Sequence, residues 1–220
     1  IVTGGTIILN RDDKFFNYLS KKAKFFKLNI CTFGRHKESD ICLKKIKKRG
    51  IFSNIFLKIN NQVINFEIKD INVYNVLAAV AVLKQFGINI NKIKSKFKDF
   101  EPTEGRGKKH FISRYKKKFN LIDESYNANP LSVKNAIKKL NLIKKEKFKK
   151  YLILGDMLEL GSRANKYHQE LSKVINNSDI DKVFVKGKKT IFTYKYLNKE
   201  KRGNILQNNE DIDFSLSSMI

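Results

Sequence analysis

The stretch LIDESYNANP, residues 121–130, decides how this chain is read. Phe119, Leu121 and Ile122 form the apolar end of an expected buried strand, and Asp123, Glu124, Ser125, Tyr126 and Asn127 make a polar loop after it. Asn129 suits an N-cap, because its side chain can accept hydrogen bonds from the first free N–H groups of a helix. Pro130 then falls at the first helical position, where its missing N–H costs nothing. Val133, Ile137, Leu140 and Ile143 follow at helical spacing in LSVKNAIKKLNLIKK. In open α/β sheets a loop at the carboxyl end of a strand is where ligands bind. A turn and a cap account for Asn129 and Pro130. They do not account for two carboxylates, a hydroxyl, a phenol and an amide in five consecutive residues, so the loop is a candidate site.

Upstream, residues 6–9 read as a short strand, and DKFFNYLSKKAKFF (13–26) as a helix that buries Phe15, Phe16, Leu19, Ala23 and Phe26. Residues 27–33 form a second strand closed by Gly34, giving a βαβ unit with parallel strands. Residues 51–59 and 62–68 alternate apolar and polar and read as a hairpin turned at Asn60-Asn61, since asparagine tolerates positive φ. In INVYNVLAAVAVLKQFGI (71–88), Val73, Val76, Leu77, Val80 and Leu83 make a core-facing helix. Asn72 and Asn75 lie three apart on one face near its start. A further helix over residues 90–100 leads to EPTEGRGKKH, where Pro102, Gly105 and Gly107 mark a boundary between domains 1–103 and 104–220. Arg106, between two glycines, can approach a phosphate closely and bind it through two N–H groups.

Downstream, residues 151–154 form an apolar strand running into GDMLELG (155–161), whose Asp156 and Glu159 again gather polar groups at a strand end. Residues 179–185 and 204–207 are expected as further strands. His168, within KYHQELSKVI, fits a structural or a site role equally. KGKKT (186–190) lacks the upstream glycine and the hydroxyl after lysine that a phosphate-binding P-loop needs. Cys31 and Cys42 make neither a disulfide framework nor a metal site. No apolar run approaches the length of a membrane span. The 220 residues carry a net charge of +25, which would attract polyanions non-specifically. The lysines are spread over the whole chain, so the charge reads as compositional and indicates no specific nucleic-acid partner.

Several of these strings together resemble the Mur ligase family of ATP-dependent amide ligases. ILNRDD is similar to the family's LNxDD segment, and CTFG to its TFG strand end. NVYNVLAA is similar to its HNxxNALAA helix, with Ile71 where the family has His. FEPTEGR is similar to its F-x-P-x-x-G-R hinge. DESYNANP and LGDMLELG are the most specific, and resemble the member that joins D-alanyl-D-alanine to UDP-MurNAc-tripeptide in peptidoglycan precursor synthesis.

The resemblance implies an α/β fold: the later part of the central, ATP-binding domain, then a Rossmann-like C-terminal domain with a mostly parallel sheet. It implies ATP and Mg²⁺, an acyl-phosphate route, a bacterial cytoplasmic setting and a monomer. It places Arg106 on the ATP phosphates, Asp123 or Glu124 on the ribose, and Asn72 and Asn75 against the adenine. Arg106, Asp123 and Glu124 are the expected catalytic set. Ser125, Tyr126, Asn127, Asn129, Asp156 and Glu159 are expected on the substrate side, and His168 falls where the family places a His. The chain reads as an interior fragment, inactive alone, with the UDP-binding domain, the glycine-rich phosphate loop and the Mg²⁺ ligands expected elsewhere. Two alternatives are another amide ligase of the superfamily, such as a folylpolyglutamate synthase, and a basic nucleic-acid-binding module.

Overall fold

The computed structural model describes every residue except 51, 70, 115, 145–147, 209, 212, 214, 216 and 218–220. The chain divides into two compact units, Ile1–Pro102 and Thr103–Ile220.

The first unit is built on a five-stranded sheet in the order β1-β2-β3-β4-β5. Strand β1 (Thr6–Asn10), helix α1 (Phe16–Phe25) and strand β2 (Asn29–Gly34) form the expected parallel βαβ unit, with Thr6 beside Asn29 and Asn10 beside Phe33. Strand β3 (Ile41–Arg49) continues the sheet parallel to β2, and β4 (Phe52–Ile59) and β5 (Gln62–Ile68) complete it as antiparallel neighbours. The hairpin turn is at Asn60 and Asn61, with φ of 48° and 64°, as the sequence led us to expect. Ile51, included in that expectation, lies outside the described residues. Helix α2 (Val73–Gln85) is rich in Ala, Val and Leu and starts on Asn72, whose side chain accepts from Tyr74 N–H. It ends at Gly87, whose φ of 69° permits the helix-terminating turn. Val76, Leu77, Val80 and Ala81 of α2 pack with Cys31, Phe33, Ile41, Ile55 and Leu57 of the sheet in one apolar core.

Two expectations fail here. Only Ala23 of the supposed buried face of α1 is buried and Phe16 is half-buried; Phe15, Leu19 and Phe26 are exposed, and no α1 residue belongs to the apolar cluster under α2. Helix α1 is ten residues long and is buried through its smallest side chain, which leaves Tyr18, Phe25 and the flanking Phe15 and Phe26 outside. Residues 90–100 form one α-helical turn, α3 (Ile90–Ile93), followed by a 3₁₀ helix over Lys94–Asp99.

The second unit opens with an antiparallel pair, β6 (Lys108–Arg114) and β7 (Lys117–Asp123). Helix α4 (Pro130–Leu142) follows, then β8 (Tyr151–Gly155), α5 (Ala164–Asn176), β9 (Lys182–Lys186), α6 (Thr190–Lys195) and β10 (Arg202–Ile205). Strands β10, β9 and β8 form a parallel sheet in that order. Its core joins Ile137 of α4, Leu154 of β8, Leu171 and Ile175 of α5, and Val183 and Val185 of β9. Burying each such side chain contributes about 1.5–3 kcal/mol.

Beneath this core Lys150 is almost fully buried. Its ammonium lies 2.6 and 2.8 Å from the two Asp179 oxygens and donates to the Asn141 carbonyl. The expected buried strand at residues 119–122 is instead β7. It pairs antiparallel with β6 rather than joining the parallel sheet, and Leu121 is exposed. Its apolar residues alternate along a two-stranded ribbon, which leaves one side in solvent.

Candidate active site

The polar loop after β7 is tied to the segment before β6. Gly105 N–H donates to Asp123 Oδ2 at 2.9 Å, and Gly107 N–H to the Asp123 carbonyl at 2.7 Å. Tyr126 N–H donates to the Gly105 carbonyl at 3.1 Å. The segment can come this close only because Gly105 has no side chain: its φ is 71°, and a β-carbon would stand 2.6 Å from Tyr126 Cβ. The stitching puts the Arg106 guanidinium over the Tyr126 ring, 4.2 Å from its centre. At this exposed position such a cation–π contact is worth about 0.5–1 kcal/mol. Arg106 thus shares one corner of the second unit with Asp123, Glu124 and Tyr126, which lie further along the sequence.

Asp123 is held below the usual carboxylate range, first by the Ser125 hydroxyl, then by the Ser125 N–H and Gly105 N–H. It is therefore an anion whose remaining lone pairs can accept from a ligand hydroxyl. Glu124 and Tyr126 are exposed beside it. Asn127 turns its Oδ1 onto Ala128 N–H at 2.8 Å. Asn129 is the N-cap of α4: its Oδ1 accepts from Leu131 and Ser132 N–H, while the Ser132 hydroxyl accepts from Asn129 N–H in a reciprocal capping box. The Asn129 oxygen is thus committed to the helix.

Glu104, His110 and Asp123 offer ligand atoms within 4.8 Å of one another. The Lys108 ammonium, however, already sits on Glu104 and lowers its pKa. Mg²⁺ asks for near-octahedral oxygen ligands with several waters. A carboxylate already paired with lysine, beside an imidazole, does not fit it.

The second polar loop, residues 155–161, is anchored from two sides. Asp156 Oδ1 accepts from Lys189 N–H at 2.9 Å and Thr190 N–H at 2.8 Å, capping α6 from across the sheet. Met157 N–H donates to Nε2 of His168, which is fully buried. Sequence reasoning left His168 undecided. Its signal is position: His168, Leu171 and Ile175 lie at helical spacing on the buried side of α5. Glu159 is exposed, with φ at 58°.

In the first unit, Asn72 caps α2 and Asn75 is exposed one turn further on. The role of Asp12, in the ILNRDD segment nearby, was not anticipated. Asp12 accepts from Arg35 N–H at 2.6 Å, His36 N–H at 3.0 Å and the Tyr74 hydroxyl at 2.8 Å. Burial raises its pKa, but these three hydrogen bonds outweigh that and hold it below the usual range. Gly34 would have pointed to it: a β-carbon there would stand 2.8 Å from the Asp12 carboxylate.

Comparison with known proteins gives two family matches. Residues 1–83 match the Mur ligase middle domain, and residues 110–205 match the Mur ligase, glutamate ligase domain. The UDP-N-acetylmuramoyl-tripeptide–D-alanyl-D-alanine ligase of Buchnera aphidicola from Acyrthosiphon pisum is 29% identical over 213 residues, covering 92% of this chain and 46% of that protein. The Bacillus subtilis enzyme of the same name is 35% identical over 117 residues, covering 53% of this chain and 25% of its own length. This chain thus spans between a quarter and about half of the curated relatives it matches. Among solved structures, MurF from Acinetobacter baumannii superposes with a TM-score of 0.79 at 21% identity, covering 99% of this chain and 46% of that one. At that identity the likeness bears on the fold.

Proposed function

The chain belongs to the Mur ligase family, as its middle and C-terminal domains, and from that premise we propose that it is part of an ATP-dependent ligase joining D-alanyl-D-alanine to UDP-MurNAc-tripeptide in the bacterial cytoplasm. In this reaction the terminal carboxylate of the tripeptide attacks the γ-phosphorus of ATP and ADP leaves. The free amine of the dipeptide then attacks the acyl phosphate, and phosphate departs as the amide forms. Fixed charges and donors aimed at the developing charge are the main source of such catalysis.

Arg106 meets the ATP phosphates, and Asp123 or Glu124 accepts from the ribose hydroxyls. Asn72 and Asn75 lie against the adenine. Ser125, Tyr126 and Asn127 shape the dipeptide side. Asn129 acts there only through the helix it caps. In the 155–161 loop, Asp156 is committed to backbone N–H groups, so Glu159 is the carboxylate available to the ammonium of the incoming dipeptide.

The observation that carries this reading is the stitched corner of the second unit. Gly105 permits the contact, Asp123 is an anion with open lone pairs, and Arg106 is held beside it on Tyr126. The test is ADP release by the complete protein, with each acceptor in turn. Release should require both UDP-MurNAc-tripeptide and D-alanyl-D-alanine. Release with a folate and glutamate instead would move the assignment to a folylpolyglutamate synthase. Arg106→Ala or Asn127→Ala should lower kcat/KM at least about tenfold, roughly 1.4 kcal/mol. Unchanged kinetics would remove that residue from the site.

A further inference from the structure

The buried imidazole of His168 belongs to no step above, yet it touches the loop that carries Glu159, the carboxylate placed above on the amine substrate. We propose that His168 is a positioning residue: it locks the 155–161 loop so that Glu159 is presented to the amine substrate. This rests on the reading of Glu159 given above.

Helix α5 places His168 among apolar neighbours, with Leu171 and Ile175 on the same side, and the residue is fully buried. A leucine would fill that space. What a leucine cannot do is accept a hydrogen bond, and Met157 N–H points at Nε2 from 2.9 Å. A backbone N–H only donates, so Nε2 carries no proton and the neutral ring is protonated at Nδ1. Nδ1 lies 2.8 Å from the Ala164 carbonyl, an acceptor, so both nitrogens are satisfied in one tautomer. The His168 carbonyl accepts from the buried Thr193 hydroxyl at 2.7 Å, which ties the same turn of α5 to α6.

The neighbouring residues show what this lock serves. Asp156 is fixed to the start of α6, and the Met157 side chain is buried in the core. Two consecutive residues are therefore immobilised, and the two that follow are thrown outward. Leu158 is 74% exposed, and Glu159 takes the left-handed conformation that non-glycine residues rarely adopt. Without the imidazole, Met157 N–H has no acceptor and the aim of Glu159 loosens.

The experiment uses the complete protein with His168→Leu, His168→Gln and Glu159→Gln. A glutamine oxygen reaches the place of Nε2 and can accept from Met157 N–H. His168→Leu should raise KM for D-alanyl-D-alanine about tenfold, leave KM for ATP within about twofold, and speed amide hydrogen exchange in residues 155–161. His168→Gln should restore all three. If the leucine variant does not fold, His168→Asn replaces it, since asparagine keeps a donor near Nδ1 but does not reach Met157. An unchanged amine KM, a parallel rise for ATP, or no rescue by glutamine would overturn the proposal. An unchanged amine KM in Glu159→Gln would instead bring down the reading of Glu159 itself, while loop exchange in the His168 variants still decides whether the lock exists.

Discussion

Each unit sets an aspartate just past one parallel strand and a glycine at or just past the end of the next. In the first unit, Asp12 follows β1 and Gly34 ends β2; in the second, Asp156 follows β8 and Gly187 follows β9. In both, the carboxylate accepts N–H groups from the residues after the glycine, which approach because no β-carbon intervenes. A β-carbon would stand 2.8 Å from the carboxylate at Gly34 and 2.4 Å at Gly187. The two brackets differ in what they join. Asp156 serves one helix start, through Lys189 and Thr190. Asp12 serves the turn at Arg35 and His36 and also takes the Tyr74 hydroxyl of α2, linking three segments. An acidic residue at the end of a strand can therefore be fully employed by the fold, whatever site it borders.

The most severe way to break this comparison is Gly187→Ala. With φ at 129° and the carboxylate so near, the methyl must displace Asp156 and strain the backbone, at a cost of about 2–4 kcal/mol in urea unfolding. Adding Asp156→Ala should recover part of the loss, because the clashing group is gone; strict additivity would refute the bracket. Next in size is the contrast between the aspartates. Asp12→Ala should cost about 2 kcal/mol and Asp156→Ala about 1 kcal/mol, following the number of groups each holds. The reverse order would show that the three-way link is not real.

The smallest effect is in pH. The pKa of Asp12 is lower folded than its ordinary value of 3.8, so its contribution is present above that value and fades as pH falls through the folded one. The carboxylate is largely exposed, so solvent screening limits the term to below about 0.5 kcal/mol. Asp12→Asn should flatten the stability curve in that acid range and leave its slope near neutrality unchanged.

What could be read ahead of the structure followed local rules. The Asn60-Asn61 turn, the Asn129-Pro130 helix start, the parallel pairing of β1 with β2, and strands β8 and β9 each carry a short-range signal in backbone preference or apolar spacing. Strand β3 was missed because Lys44, Lys45, Lys47 and Lys48 read as solvated charge. Pairing with β2 and β4 and the buried trio Ile41, Cys42 and Leu43 make it a strand. The face of α1 was misjudged because periodicity says which residues align, not whether anything covers them. In the candidate site, the residues of the DESYNANP loop were legible as a polar excess. The stack of Arg106 on Tyr126 was not, since it depends on Gly105 meeting a loop about twenty positions away. The roles of Asp12 and His168 were hidden for a related reason: apart from the Tyr74 hydroxyl on Asp12, their partners are backbone N–H and carbonyl groups, which every sequence has and none displays.

The close fit of Gly187 against Asp156 also has a consequence for how this chain can vary over generations. An alanine at position 187 is harmful while the aspartate stands, and loss of the aspartate costs a helix its cap. The cheaper first step is at position 156. Lineages carrying a side chain at position 187 should therefore have already shortened or replaced the residue at 156, so that the two positions drift as a pair and in a fixed order.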